Sequence, residues 1–588
     1  MARSDENLVS LIRRRAADLG NSQAFTFLRA DGGIAAEYGY AALDRDARAL
    51  AAVLATYCRP GDRALIALST GRDYITAFIG CLYGGIIAVP AFAPSPRSAA
   101  RLRAIMRDSI PRVVLTNHAL SARSRALLEQ ASRSNPVDLI EVDRIDEREA
   151  GSWQPVAIAP QSIALLQYTS GSTAEPKGAV ITHANLISNQ SMIAAAASHD
   201  QSTRLLGWLP LHHDMGLVSN IVHPLYLGVS VILMSPIDVL QSPLRWLEAV
   251  SSWHATTSGG PNFIYDLCAR RTTPEQRRAL DLGCWDVAFV GAEPIRPETL
   301  DRFSRAFAPC GFRPDAFLPC YGLAEATVFV TGRSKGTGCA ELRVGPDALE
   351  REGRVRPTVS GRCFISCGCV RGDLDLRIVD PASGIECATE QVGEIWIAGA
   401  SVAAGYWKKE ETTRESFGAE LQGVRGQYLR TGDLGFLSNG ELYIAGRLKD
   451  LIKIRGRNCY PQDIERAVEN GCPEIRPGCC AAFSIEVDGE EKIVVVAELE
   501  RGFAGSPMAV VAKMRCTIST ELELASEGIL LVKPAVLPKT SSGKIQRRLC
   551  RAMLLDRQFA PLAESWIGFR DRRDDLAPRE AAGASEEG

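Results

Sequence analysis

A glycine- and hydroxyl-rich segment, Tyr168-Thr169-Ser170-Gly171-Ser172-Thr173-Ala174-Glu175-Pro176-Lys177-Gly178, carries the residue types that surround phosphate oxygens. Glycines let a backbone approach an anion closely, while amide N–H groups and hydroxyls donate to it. The segment is not a Walker loop, because Pro176 precedes Lys177 and Gly178 follows, so the Gly-Lys-Ser/Thr ending is missing. Taken alone it also reads as a flexible surface turn. Far downstream, Pro538-Lys539-Thr540-Ser541-Ser542-Gly543-Lys544 offers a cation on a second small-residue turn, in a chain with only 11 lysines against 56 arginines. Together the two segments suit a nucleoside triphosphate held at a seam between domains.

Other blocks carry chemistry in combination. Trp208-Leu209-Pro210-Leu211-His212-His213-Asp214-Met215-Gly216 places two of seven histidines beside a carboxylate in an apolar setting. Alone it reads as a core histidine pair, half a metal site or a functional turn. No HExxH partner cluster supports metal, and no GxSxG elbow supports a serine hydrolase. Gly291-Ala292-Glu293-Pro294, Tyr321-Gly322-Leu323-Ala324-Glu325-Ala326-Thr327, Tyr428-Leu429-Arg430-Thr431-Gly432-Asp433 and Gly446-Arg447-Leu448-Lys449-Asp450 follow in order. Each passes for an ordinary turn by itself, but six blocks in one order do not arise by coincidence.

The elements that must position them read as α/β. From about residue 40 to 330, helical patterns such as 40–58 alternate with short apolar runs at 64–68, 86–89, 113–115, 164–168, 231–234 and 287–290. That alternation predicts parallel sheets covered by helices on both faces, with ligands at the carboxyl ends of the strands. After Pro357 the pattern changes to short strands with turn signals (375–379, 393–398, 441–444, 451–454), predicting a smaller β-rich subdomain. A second mixed unit begins near Tyr460, with helices at 462–469 and 508–521 and strands at 492–499 and 529–532. The expected division is 1–449 for the large domain, with its β-rich part at about 357–449, 450–570 for a small α+β domain, and 571–588 for a charged, disordered tail.

Composition limits the partners. A net charge of −2, with no run of basic residues, gives no attraction to nucleic acid or to an anionic membrane. Seventeen cysteines, an odd and scattered set, suggest reduced and mostly buried thiols, and Cys363, Cys367 and Cys369 lack the second pair that a zinc site needs. The N-terminus is no signal peptide, and the most apolar stretch, 77–93, is interrupted by Gly80, Gly84, Gly85 and Pro90. A cytoplasmic protein without integral membrane association is expected.

With these blocks in hand, the chain resembles the adenylate-forming superfamily of acyl-CoA synthetases, peptide-synthetase adenylation domains and luciferases, over roughly residues 10 to 565. The resemblance implies a large N-terminal domain of two helix-covered sheets plus a β-barrel-like subdomain, hinged to a small mobile C-terminal domain. It implies that Thr169, Ser170, Gly171, Ser172, Thr173 and Lys177 hold the triphosphate of ATP, and that Gly291, Ala292, Glu293, Tyr321 and Gly322 surround adenine. Asp433, helped by Arg447, would bind the ribose; Glu325 would hold Mg²⁺; Asp450 would be the hinge. Lys544 would be the catalytic lysine bridging carboxylate and phosphate, with His213 also at the reacting carboxylate. An attacking carboxylate and an α-phosphate bring two anions together, so a cation and Mg²⁺ are the natural remedy.

Several details are similar to the fatty acyl-AMP ligase branch, which passes a fatty acid to a phosphopantetheinylated acyl carrier protein instead of to coenzyme A. They are His213-Asp214-Met215-Gly216-Leu217 with the Ser258–Cys268 block, Arg455-Gly456-Arg457-Asn458-Cys459-Tyr460-Pro461, and the 331–369 region, which looks like that branch's insertion. The insertion is expected to restrain the C-terminal domain, or else to be a tolerated surface loop. Arg457 either redirects a thin pantetheine arm or is simply solvated. Cys459 departs from the branch, where histidine is common. The acyl chain is expected in an apolar tunnel near His213, Gly259, Gly260 and Phe263, its length open between medium and long. Rival readings are a fatty acyl-CoA ligase and a non-catalytic nucleotide- or acyl-binding protein.

Overall fold

The computed structural model describes residues 6–96, 98–132, 136–168, 176–454, 457–487, 490–540 and 543–567. Two large sheets dominate. The first has nine strands and a parallel centre, ordered Phe317–Tyr321, Val287–Gly291, Thr257–Pro261, Leu205–Gly207, Val231–Leu233 and Gln23–Leu28. The second has six strands, with Arg63–Leu68 and Ile87–Phe92 at its centre and Ile163–Tyr168 next to Gly178–Thr182 at one edge. The expectation of parallel sheets holds for both centres and fails at edges: Ile34–Gly39, Thr331–Gly332 and Gly178–Thr182 pair antiparallel. Short hairpin-like returns suffice there, whereas a parallel neighbour needs a crossover.

The reason for this layering is visible in single elements. Ala64 to Leu68 are all buried, as a strand covered on both faces must be. Helix Tyr40–Tyr57 buries Leu43, Ala47, Leu50, Ala51 and Leu54 at helical spacing, while most of its remaining residues are half-buried. The apolar stretch around residues 77–93 divides into helix Arg72–Tyr83 and strand Ile87–Phe92. No helix among the described residues is long and apolar enough to cross a membrane.

Downstream, Asp375–Val379, Gly393–Ala398, Leu429–Ser438 and Glu441–Arg447 form an antiparallel four-stranded sheet. Another four-stranded sheet, Ile475–Val487, Glu490–Leu499, Ser526–Val532 and Ala563–Trp566, has its own apolar core with helices Pro461–Gly471 and Pro507–Leu522. The 331–369 region is no plain loop. It contains an antiparallel pair, Glu341–Val344 with Arg362–Ile365, and a π-helical turn, Ala348–Glu352, and it shares a buried cluster with Phe436, Tyr443 and Tyr460.

Helix His183–Ala197 is buried on several sides and carries polar residues inward, which is tolerable only if each is hydrogen-bonded. Asn185 closes a capping box with Thr182 and donates to the carbonyls of Ala400 and Val402. Asn189 donates to the carbonyls of Ala326 (3.2 Å) and Phe329 (2.8 Å) and accepts from the Phe329 amide (3.3 Å). The helix therefore pins the segment that follows Tyr321. Asn189→Ala leaves these buried groups unpaired and is expected to destabilise the protein by roughly 1–3 kcal/mol. A lowered unfolding midpoint with faster hydrogen exchange at Phe329 is the expected readout; an unchanged midpoint would show that the helix does not hold this segment.

Candidate active site

The carboxyl ends of the parallel strands converge on one continuous cavity of about 2590 Å³, where ligands of such sheets bind. Strand Val287–Gly291 ends in a turn in which Ala292 has φ 64°, a left-handed conformation unusual for alanine. The next residue, Glu293, accepts the backbone N–H of Phe263 (2.6 Å) at the start of helix Asn262–Arg271. That amide lies in the first helical turn, whose free donors favour a carboxylate. Burial raises the Glu293 pKa, opposed by the Phe263 amide and by Lys544.

Strand Phe317–Tyr321 delivers the next residues. Tyr321 donates its hydroxyl to Asp433 Oδ2 (2.8 Å) and then Gly322 turns the chain back; a Cβ there would fall on the Val328 carbonyl oxygen. Thr327 has φ 70° and ψ −61°, and the Val328 amide bonds the Ala326 carbonyl (2.8 Å). This is the strained form of γ-turn, and a β-branched residue makes it more costly. Asn189 and the Thr327 hydroxyl, which donates to Ser401 O (2.7 Å), hold it in place. Just before the turn, Glu325 accepts the Tyr406 hydroxyl (2.9 Å). Burial raises the Glu325 pKa against that hydrogen bond. Lys177 lies 5.2 Å from the centre of the Tyr406 ring, with burial and nearby Lys449 lowering its pKa and Glu325 opposing them. Thr169, Ser170, Gly171, Ser172 and Thr173 lie outside the described residues.

Asp433 and Arg447 are opposite one another on adjacent antiparallel strands, 3.1 Å apart. Behind them sits Glu394, buried, which accepts from the Gly432 amide (3.1 Å), the Trp396 indole (3.0 Å) and Arg430 (3.0 Å). A buried carboxylate with three donors sets the Thr431-Gly432-Asp433 bend, and sequence reasoning passed over it. The available signal was a charge inside the apolar run Gly393-Glu394-Ile395-Trp396-Ile397, since a lone acid is rarely buried without partners. Tyr406 was missed too, and no local pattern distinguishes it.

Lys544 comes from the C-terminal region on a tight turn. Thr540 N donates to Lys544 O (2.8 Å), Lys544 N donates to Thr540 Oγ1 (3.1 Å), and Gly543 takes φ 85° against the Phe263 ring. Lys544, half-buried, lines the cavity, where Asp214, Glu293 and Asp433 attract its ammonium group and Arg447 repels it. Burial, then Arg447, hold its pKa below the usual lysine range despite the three carboxylates. His213 Nδ1 is 2.5 Å from Asp214 Oδ1. Against burial, His213, the Met215 amide and Lys544 keep the Asp214 carboxyl below the ordinary range.

His213 and Phe263 line the cavity. Gly259 and Gly260, expected beside the acyl chain, do not: a Cβ on Gly259 would strike Phe289 and one on Gly260 the Trp208 ring. They are glycines because neighbouring residues press against the strand. Arg457 is neither solvated nor turned to a channel; it pairs with Glu350 on the π-helical turn of the 331–369 region. Arg362 of the same region forms an ion pair with Asp463 (2.8 Å) and lies over the Tyr460 ring (4.4 Å). Asp450 accepts from Arg547 (3.2 Å), which also grips Glu465 with two bonds of 2.7 Å. No group of three or more metal-ligating side chains occurs among the described residues.

The AMP-binding enzyme family matches residues 12–407. The medium-chain-fatty-acid–[acyl-carrier-protein] ligase JamA of Moorena producens is 40% identical over 562 residues, covering 93% of this chain and 95% of that protein. A ligase of the same description, TtuA of Teredinibacter turnerae, is 36% identical over 574 residues, covering 88% and 89%. Among solved structures, a fatty acyl-adenylate ligase of L. pneumophila in complex with acyl adenylate and pyrophosphate is 38% identical, with TM-score 0.73 over 95% of this chain and 98% of that one. A structure from a study of the E. coli and L. pneumophila fatty acyl-adenylate ligases is 31% identical, with TM-score 0.86 over 95% and 99%.

The lowered Lys544 pKa has a direct readout in the ligand-free protein. Modification of Lys544 by an amine-directed reagent should reach half its maximal rate below the pH usual for lysine, because the neutral amine is the reactive form. An inflection at or above the ordinary lysine range would contradict the enclosed position described.

Proposed function

The chain belongs to the AMP-binding enzyme family, in its fatty acyl-adenylate ligase branch, and from that footing we propose that it activates a fatty acid with ATP and hands the acyl group to an acyl carrier protein. The observation that carries the reading is Lys544, brought from the C-terminal region to the strand-end cavity that Asp214, Glu293 and Asp433 also line. The fatty acid's carboxylate oxygen attacks the α-phosphorus of ATP, the bond to pyrophosphate breaks, and acyl-AMP forms. Lys544 sits between the two anions and stabilises charge that concentrates as they meet. Thr169, Ser170, Gly171, Ser172, Thr173 and Lys177 hold the triphosphate. Gly291, Ala292, Tyr321 and Gly322 shape the adenine seat, with Glu293 bracing its turn through Phe263. Asp433 takes the ribose hydroxyls, set by Tyr321 and Arg447. His213 orients Asp214 beside the incoming carboxylate.

Mg²⁺ fits this donor set, because it favours one or two carboxylates with the remainder from phosphate and water. Glu325 is such a carboxylate, oriented by Tyr406. When bound, the ion neutralises phosphate charge during the displacement. In the second step the carrier's phosphopantetheine thiol attacks the acyl carbonyl and AMP departs. The small domain turns about Asp450 to withdraw Lys544, releasing Arg547 from Asp450 as it does so. The Glu350–Arg457 pair supports restraint of that movement by the insertion, and so the preference for a carrier protein over free coenzyme A. The enzyme acts in the cytoplasm, with its ATP supply.

Two measurements check the reading. Lys544→Ala should slow pyrophosphate release by at least about 10²-fold, the scale of a lost transition-state contact; near-normal release would reject its role. Glu350→Arg should raise acyl-CoA formation several-fold, and adding Arg457→Glu should reverse the gain. Unchanged CoA turnover in the single variant would show that the pair does not govern acceptor choice.

A further inference from the structure

The cavity does not end at the nucleotide seat. It follows one face of the nine-stranded sheet, past Cys320 and Leu318 on one strand, Phe289 and Val287 on the next, to Thr257 at the start of a third. Residues two apart on a strand share a face, so these side chains form one wall. Helix His183–Ala197 supplies the opposite wall with Ile193, Ala196 and Ala197, the last packing with Val287 and Leu318. A third side is the helical run Asp214–Leu227, interrupted by π-helix over Val218–Val222, a distortion common at functional sites.

The far end is polar. Beyond left-handed Ser198, His199 turns under the helix and its Nδ1 lies 2.8 Å from His223 Nε2. His223 Nδ1 is 2.9 Å from Gln190 Oε1, and His199 Nε2 is 2.9 Å from Thr257 Oγ1. The amide of Gln190 donates to Leu186 O (3.2 Å), so its oxygen faces the histidine and only accepts. His223 therefore donates from Nδ1 and accepts at Nε2 from His199 Nδ1, while His199 Nε2 accepts the Thr257 hydroxyl. Each imidazole is neutral in one tautomer, and burial pushes the His199 pKa down to about 4.

We propose that the His199–His223 pair, braced by Gln190 and Thr257, is the closed end of the acyl tunnel and makes the enzyme selective for medium-length fatty acids over long ones. The inference rests on the adenylating reading above and goes on to name the ruler. Thr257 pairs with Val287 and Pro261 with Gly291, so seat and floor are separated by four residues of strand, about 13 Å, roughly the reach of ten extended carbons. A longer chain must push into rings whose hydrogen bonds are complete and whose displacement leaves buried polar atoms unpaired.

The test is pyrophosphate release by the full chain with saturated acids from octanoate to hexadecanoate. The parent's kcat/KM should peak near decanoate and fall by roughly tenfold or more at hexadecanoate, the discrimination an apolar pocket of fixed depth allows. His199→Ala opens the floor and should raise the hexadecanoate-to-decanoate ratio by about tenfold. Ala197→Leu narrows the wall and should shift the peak to shorter acids, which keeps the question answerable if the histidine variant does not fold. A parent profile flat to hexadecanoate, or variant profiles that superimpose on the parent's, overturns the ruler and leaves adenylation standing. A parent that releases no pyrophosphate with any fatty acid overturns the adenylating reading, and the ruler with it.

Discussion

An ammonium group taken out of bulk water must be met by opposite charge, and this one requirement organises the molecule around Lys544. Asp214, Glu293 and Asp433 come from three separate segments, so the lysine finds its environment only when the nine-stranded sheet, the antiparallel sheet and the C-terminal region are assembled. Arg447, held by Asp433, works against it. The site is electrostatically incomplete on its own. Anionic phosphate and carboxylate add negative charge to a cavity that both Lys544 and Arg447 line, which favours substrates that carry both.

The same site carries backbone strain and buried polar support. Ala292 and Thr327 adopt conformations that side chains other than glycine rarely take, one beside Glu293 and the other beside Glu325. Both distortions are held from outside the strained residue, by Glu293 on the Phe263 amide and by Asn189 on the carbonyls around Thr327. Glu394 does the same for the Thr431-Gly432-Asp433 bend. These residues act by position: they hold a bend that would otherwise relax.

Two restraints then meet on the C-terminal region. Arg547 joins Asp450 to Glu465 three residues after Lys544, so Asp450 and the lysine turn are mechanically linked. Glu350 and Arg362, from the 331–369 region, grip Arg457 and Asp463. Along the sheet in the other direction, an apolar channel runs to a neutral histidine pair. The strand-end turns, the apolar channel and the C-terminal region thus share one cavity, with a separate group of polar contacts at each boundary.

Local pattern was enough to read the α/β class, the change to short strands after Pro357 and most element positions. Asp375–Val379 and Gly393–Ala398 agree with expectation at both ends, because alternation and turn residues are properties of neighbours in the chain. The motif blocks were legible for the same reason: each is short and contiguous. What presses on Gly259 and Gly260 could not be read, because a glycine's spacing does not name the Phe289 and Trp208 rings packed against it. Tyr406 on Glu325, Glu394 behind Asp433, Arg457 on Glu350 and the His199–His223 floor join residues distant in sequence, and no local signal marks their partners. What the amino-acid order determined by itself was which segments become strands, helices and small-residue turns; which charges are enclosed, which polar atoms pair and where the channel stops was decided only by the tertiary structure, since burial and distance exist only after distant segments are packed together.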